Sequence, residues 1–372
     1  MTAPHILVTG ATGFIGREIV RRLWAAGRPV LVMARARADL GATARVAAAL
    51  GADPAGAIDI IEGDLARPGC GLAAAAWCRL RETIETVIHC AGDPAFVPDA
   101  PATFRAGHVE GPRELLERLG AGRLRHWAQL STAYVCGRRS GIVLESEHDV
   151  GQTFHNPYEQ VKLEAELVLR ATARRLGVDL RVFRPSIVVG AAPGTTGGAP
   201  SNLFFDFLRL AASLASVAGG TETRLRIEAA PSAPFNIVPV EYVATAIVAL
   251  ADDPGAAGRT LHLAVKDAPT QETMLALISA RLGVRGLILA DGHREPLRDP
   301  TPLERALGRA LAPYRDYLLQ PVRFDDTVAR GCLAQLGIAS PTLDAPDVAR
   351  LIDQALTTPA ARPGMESARA GR

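Results

Sequence analysis

Short apolar runs alternate with longer segments of mixed polarity through the first half of the chain. His5-Ile6-Leu7-Val8-Thr9, Pro29 to Met33, Ile58 to Ile61, Thr86 to His89 and His126 to Leu130 read as strands buried on both faces. Between them Arg17 to Ala26, Asp39 to Leu50 and Pro101 to Leu119 carry apolar residues at helical spacing. This alternation predicts an α/β fold, a doubly wound parallel sheet of Rossmann type. Right-handed crossovers then put the carboxyl ends of the strands on one edge, where ligands bind.

The second half is less regular. Asn156 to about Arg175 reads as a helix, and Ala191 to Pro200 is a Gly/Pro/Thr-rich loop, either a lid or a plain linker. Asn202 to Val217 is a helix apolar around much of its circumference, packed on the core with part free to line a pocket. Phe235 to Val240 and Thr260 to Val265 read as strands around a helix from Glu241 to Ala251. Thr270 to Leu282 and Pro302 to Leu319 read as helices, and Thr358 to Arg372 as a disordered tail.

Composition narrows the function classes. A net charge of +2 gives no ground for nucleic-acid binding, and no apolar run approaches the ~20 residues that span a bilayer. No signal peptide is apparent, so a cytoplasmic location is expected. The five cysteines include no C-x-x-C pair, and the histidines show no ligand spacing, so no metal is expected. Lysine and arginine total 41, yet Lys162 and Lys266 are the only lysines. A lysine kept against that bias calls for a chemical reason.

The candidate chemistry starts at Gly10-Ala11-Thr12-Gly13-Phe14-Ile15-Gly16, directly after the first strand. Gly10 permits a tight turn, Gly13 lets a pyrophosphate approach the backbone, and Gly16 lets the helix pack close to its strand. Thr12, Phe14 and Ile15 fall within the same dinucleotide site, whose helix start attracts phosphate. The second strand ends at Arg35 and Arg37 rather than at a carboxylate. That favours the 2′-phosphate of NADPH over the free hydroxyl of NADH, unless both are solvated loop arginines. Asp64, with Leu65, either meets the adenine or caps the next helix. Ala91 and Gly92 leave room for a ribose. His89, within a strand, reads as a core histidine.

Ser131 and Thr132 place two hydroxyls at the carboxyl end of the fifth strand, and Tyr158-x-x-x-Lys162 follows at the start of a helix. Residues four apart share a helix face. A compact ammonium beside a phenol draws its pKa down from ~10 toward the working range.

Together the glycine turn, Gly63-Asp64-Leu65, Ser131-Thr132 and Tyr158-x-x-x-Lys162 make the first ~250 residues resemble the extended short-chain dehydrogenase/reductases. Ser131 to Val135, Asn156 to Glu166, Phe183 to Gly190, Phe235 to Ala244 and Arg323 to Thr327 are similar, more narrowly, to the fatty acyl-CoA reductases and thioester-reductase domains. The resemblance implies an NADP-binding domain over 1–190, with late sheet elements returning from about 235–268. It implies a smaller C-terminal substrate lobe within 191–357. It also implies that Thr132 (or Ser131) holds the substrate carbonyl, Tyr158 donates the proton, and Lys162 tunes it and binds the ribose. Pro185, Ser186 and Ile187 would lie along the nicotinamide. His108 stands where the family usually has Asn, a departure that puts the conventional role of that position in question.

The resulting expectation is an NADPH-dependent reductase of an apolar acyl thioester, on coenzyme A or on a carrier protein supplied in trans, to an aldehyde or, by a second hydride, an alcohol. Rival readings are a ketone or aldehyde reductase or secondary-alcohol dehydrogenase, a sugar-nucleotide epimerase or dehydratase, and a non-catalytic redox-sensing binding protein.

Overall fold

The strands, in chain order, are β1 (His5–Thr9), β2 (Val30–Ala34), β3 (Ile58–Glu62), β4 (Ile84–His89), β5 (His126–Leu130), β6 (Gly141–Val143), β7 (Asp179–Pro185), β8 (Ile187–Val189), β9 (Leu225–Ala229), β10 (Ile237–Pro239), β11 (Thr260–Leu263), β12 (Leu287–Asp291) and β13 (Val322–Phe324). The structure, a computed structural model, describes residues 5–37, 40–53, 56–190, 202–217, 224–292 and 297–357. Among these, seven strands form one parallel sheet in the order β11-β7-β5-β4-β1-β2-β3. The chain runs outward from β1 through β2 to β3, then crosses back to β4 on the other side of β1. The crevice at the β1/β4 carboxyl ends is therefore the topological switch point.

The pleat explains why the strands read as continuous apolar runs. Ile6 and Val8 of β1 face the layer made by α1 (Phe14–Ala25), α2 (Ala42–Leu50) and a later helix carrying Val243 and Ile247. Leu7, between them, faces Trp77 and Leu80 of α3 (Ala74–Thr83), beyond which come α4 (Pro101–Arg105), α5 (Gly111–Gly120) and α6 (Pro157–Leu176). Each such buried side chain contributes roughly 1.5–3 kcal/mol. Among the described residues the remaining helices are α7 (Leu203–Val217), α8 (Val240–Leu250), α9 (Gln271–Leu282), α10 (Pro302–Leu311), α11 (Arg315–Leu319), α12 (Thr327–Gln335) and α13 (Ala345–Thr357).

Three expected elements differ. The helix over 101–119 is interrupted by a π turn at Ala106–Glu110, where the Gly111 amide reaches back to Ala106. Pro112 has no N–H to return to His108, so the ladder loosens there. The helix over 302–319 breaks at Ala312–Tyr314, around Pro313. The strand expected over 235–240 shortens to β10 and pairs with β8 outside the main sheet, whereas β11 does join it beside β7. Between β9 and β12 runs a further parallel pair. The loop 191–200 and the tail 358–372 lie outside the described residues.

Candidate functional site

Gly10 adopts φ +73°, and a Cβ on it would stand 2.5 Å from the Ala91 nitrogen. A Cβ on Gly16 would stand 2.2 Å from the Gly10 carbonyl oxygen, so these two glycines are fixed by packing. Gly13 differs, since a Cβ there meets only that same oxygen, at 3.2 Å. Its backbone is bare toward the crevice. Phe14, Ile15 and Gly16 open α1, whose first turn holds no acidic side chain and whose amides have no helical carbonyl to bond. This cradle fits a pyrophosphate.

On one side the cradle opens into a cavity of about 570 Å³ lined by Thr12, Arg35, Arg37, Arg45, Asp64 and Leu65. Arg45, on α2, donates to the Arg35 carbonyl at 2.5 Å and to the Thr12 hydroxyl at 3.5 Å. Burial lowers its pKa, and Arg35 and Arg37 add to the effect by repulsion, as three gathered cations must. Asp64 is not a helix cap. Its carboxylate accepts from the Ala66 amide two residues on, at 3.0 Å, and the next helical turn begins only after Arg67. Gly111 holds this turn against α5, since a Cβ there would lie 2.0 Å from the Leu65 oxygen.

On the other side lies a cavity of about 360 Å³, sharing Gly10, Gly13, Ala91, Gly92 and His108 with the first. Phe14, Ile15, Gly16, Ser131, Thr132, Tyr158, Lys162, Pro185, Ser186 and Ile187 line it. All the residues nominated from sequence thus fall along one trough. Gly92 is confined by a protein neighbour: a Cβ would meet the His108 ring at 2.8 Å. His108, buried in the π turn, accepts from the Asp93 amide through Nε2 at 3.0 Å. Burial drops its pKa to about 3, with Lys162 adding repulsion. His89 is the expected core histidine, bonded to Thr9 at 2.8 Å with its ring against Trp127.

Local chemistry sets the reactive side chains. Asn156 caps α6 by accepting from the Glu159 amide at 3.1 Å, and Pro157 follows it, which puts Tyr158 in the first turn facing the trough. Lys162, one turn on, is 5% exposed and donates to the Leu130 carbonyl at 2.7 Å. Burial takes its pKa down to about 8, opposed chiefly by Glu166. Thr132 is extended and caps the turn Ala133–Cys136, its hydroxyl accepting from the Tyr134 amide at 3.2 Å. One expectation needs correction. Tyr158 is not drawn down by Lys162: burial, followed by Glu159 and Asp93, pushes it up to about 12. Desolvation of the phenolate is the largest cause, and the two carboxylates add to it.

Sequence reading missed Arg45 and the aromatic wall. Phe96 lies 5.7 Å from the Tyr317 ring, 5.9 Å from Tyr314 and 6.4 Å from Tyr158, closing the smaller cavity with Tyr134. Tyr317 donates to Glu159 and accepts from Asn156, so α11 is fastened to the start of α6. Arg45 had a signal in its nearness to Arg35 and Arg37. Tyr314 and Tyr317 had none, because their neighbours, such as Asp206 and Glu159, lie more than 100 residues earlier.

The sequence profile of the NAD-binding family described as male sterility protein matches residues 8–247. The chain belongs to that family. With it, the chain is placed among the extended short-chain dehydrogenase/reductases, which are nicotinamide-dependent oxidoreductases. It is 27% identical over 275 residues to the carboxylic acid reductase of Mycobacterium tuberculosis, covering 66% of this chain and 23% of that protein. It is 30% identical over 189 residues to the hybrid PKS-NRPS synthetase pydA of Acremonium sp, covering 50% of this chain and 4% of that protein. The chain therefore spans less than a quarter of the length of these curated relatives. Its fold matches the terminal R domain from the myxalamid PKS-NRPS biosynthetic pathway with a TM-score of 0.76 and 22% identity, over 96% of this chain and 91% of that one. The UDP-glucuronic acid 4-epimerase of Bacillus cereus, solved with NAD, shares the fold at a TM-score of 0.67 and 17% identity, covering 94% and 96%. Among the described residues, no helix is long and apolar enough to cross a membrane.

Proposed function

We propose that this chain is an NADPH-dependent reductase of an apolar acyl thioester, presented on coenzyme A or on a carrier protein. The observation that carries the reading is the trough itself. Three arginines stand at one end, a bare glycine backbone lies at the middle, and Thr132, Tyr158 and Lys162 stand at the other beside an aromatic wall. That order matches the order of parts in an extended dinucleotide with an acyl carbonyl at its reactive end.

The bound dinucleotide supplies hydride to the carbonyl carbon. The protein does the rest. Arg35, Arg37 and Arg45 would hold the 2′-phosphate, and the Gly13 backbone with the first turn of α1 would hold the pyrophosphate. Pro185, Ser186 and Ile187, which line the smaller cavity, would flank the reactive ring. Lys162 keeps a positive charge beside it. Thr132 and Tyr158 donate to the developing oxyanion, and Tyr158 passes its proton to that oxygen. A phenol held at about 12 keeps its proton at neutral pH until so basic an oxygen forms, which suits an acid in the reducing direction. The hemithioacetal then loses thiol and becomes an aldehyde.

Relatives named as carboxylic acid reductase and as PKS-NRPS synthetases support a thioester over a free ketone. The arginine end argues against a tightly kept NAD of the epimerase kind. NADPH and NADH oxidation against matched acyl-CoA, aldehyde and ketone panels tests the reading. Turnover of the thioesters with NADPH is expected, and turnover of ketones alone would refute it.

A further inference from the structure

Beneath the floor of the trough lies an ion pair that the reaction as described does not use. Glu166 and Arg184 are each 1% exposed. Arg184 grips Glu166 with two parallel bonds, Nε to Oε1 at 3.0 Å and Nη2 to Oε2 at 2.7 Å. Its remaining nitrogen donates to the Glu147 carbonyl at 2.7 Å, and His148 Nδ1 lies 3.2 Å from Nη2. Glu166 sits one turn after Lys162, and both lie on the buried face of α6.

We propose that Glu166, locked in place by Arg184, is a positioning residue for Lys162, fixing its charge and its aim from below. The inference rests on the reading of Lys162 as part of the reactive set. A buried ammonium with a single carbonyl acceptor at 2.7 Å is otherwise poorly compensated. The other titratable groups acting on it are Cys90, beyond β4, His89 on β4 and His108 in the π turn. Both histidines are held neutral by burial, and burial also pushes the Cys90 thiol up to about 12, so none of them supplies a counter-charge near neutrality. Tyr158, on the same helix, is neutral as well. Glu166 is the largest influence keeping Lys162 charged. Arg184 does the opposite service. It keeps the carboxylate ionised in spite of its burial, with Arg170 adding a smaller attraction.

Because the chain has just two lysines, the test is direct. Protein carrying ¹⁵N-labelled lysine gives two side-chain signals, and Lys266→Arg assigns them. Glu166→Gln removes the carboxylate. Glu166→Gln with Arg184→Met removes both charges, so that no guanidinium is left buried alone if the single variant folds poorly. In either folded variant the Lys162 titration is expected to fall by at least about one pH unit, roughly a tenfold fall in the ratio of ammonium to free amine at a given pH, with Lys266 unmoved. The alkaline limb of kcat should fall with it. A folded variant in which Lys162 titrates as in the wild type would overturn the proposal and leave the pair as a tie between α6 and β7. The titration needs neither cofactor nor substrate, so its outcome is separate from that of the thioester assay.

Discussion

Lys162 Nζ donates to the main-chain carbonyl of Leu130 at 2.7 Å, which ties the reactive helix to the strand end that carries Ser131 and Thr132. One bond thus sets the spacing between the proton donor on α6 and the hydroxyls on β5. The shape of the cradle, the cofactor preference, the response to acid and the chemistry each give an expected outcome.

Gly10→Ala and Gly13→Ala should part company. Alanine at Gly10 meets both a left-handed backbone and atoms 2.5 Å away, so that variant is expected to lose several kcal/mol and express poorly. Alanine at Gly13 meets one oxygen at 3.2 Å, so its melting temperature should stay near wild type while its Kd for NADPH rises by at least about tenfold. Calorimetry and fluorescence titration check the two halves.

Replacing Arg35, Arg37 and Arg45 together by alanine should collapse the preference for NADPH over NADH. A loss of about 1.5–3 kcal/mol of charge-assisted bonding per retained contact is at stake, enough for more than tenfold in the ratio of the two kcat/KM values. An unchanged ratio would move the 2′-phosphate elsewhere.

Acid should destabilise the fold. His89 and His108 are depressed to about 3 and His262 to about 4, each first by burial. A depressed folded pKa means that the stabilisation is complete above the unfolded value near ~6.5 and is lost as pH falls toward the folded ones. Glu145, raised by burial to about 7, works the other way, its contribution being lost as pH rises through that value. His148 is depressed as well and Asp326 raised, both first by burial, so four imidazoles against two carboxyls leave a net fall in melting temperature from pH 6.5 to 4. His262→Gln should flatten the slope by about one proton, or roughly 1.4 kcal/mol per pH unit.

Most of the site was legible because it is local. The three glycines fall within seven residues and Tyr158 to Lys162 spans one helical turn, so period and spacing expose them. What escaped was made by tertiary packing. Arg45 reaches the trough only because α2 lies against the end of β2. Tyr314 and Tyr317 arrive from the far end of the chain. The height of the Tyr158 pKa was misjudged for the same reason, since desolvation by the aromatic wall has no sequence signature. Gly92 looked like space for a ribose, and the packing shows it also yields to His108.

The central claim is hydride delivery to a thioester carbonyl under proton donation from Tyr158. Incubating the protein with 4,4-dideuterated NADPH and an acyl-CoA, then reading the label at the aldehyde carbon by mass spectrometry, tests it most directly. The account predicts one deuterium per aldehyde formed, and a rate about 10²–10⁴-fold lower in Tyr158→Phe with NADPH binding retained. Aldehyde without label, or Tyr158→Phe at the wild-type rate, would contradict it.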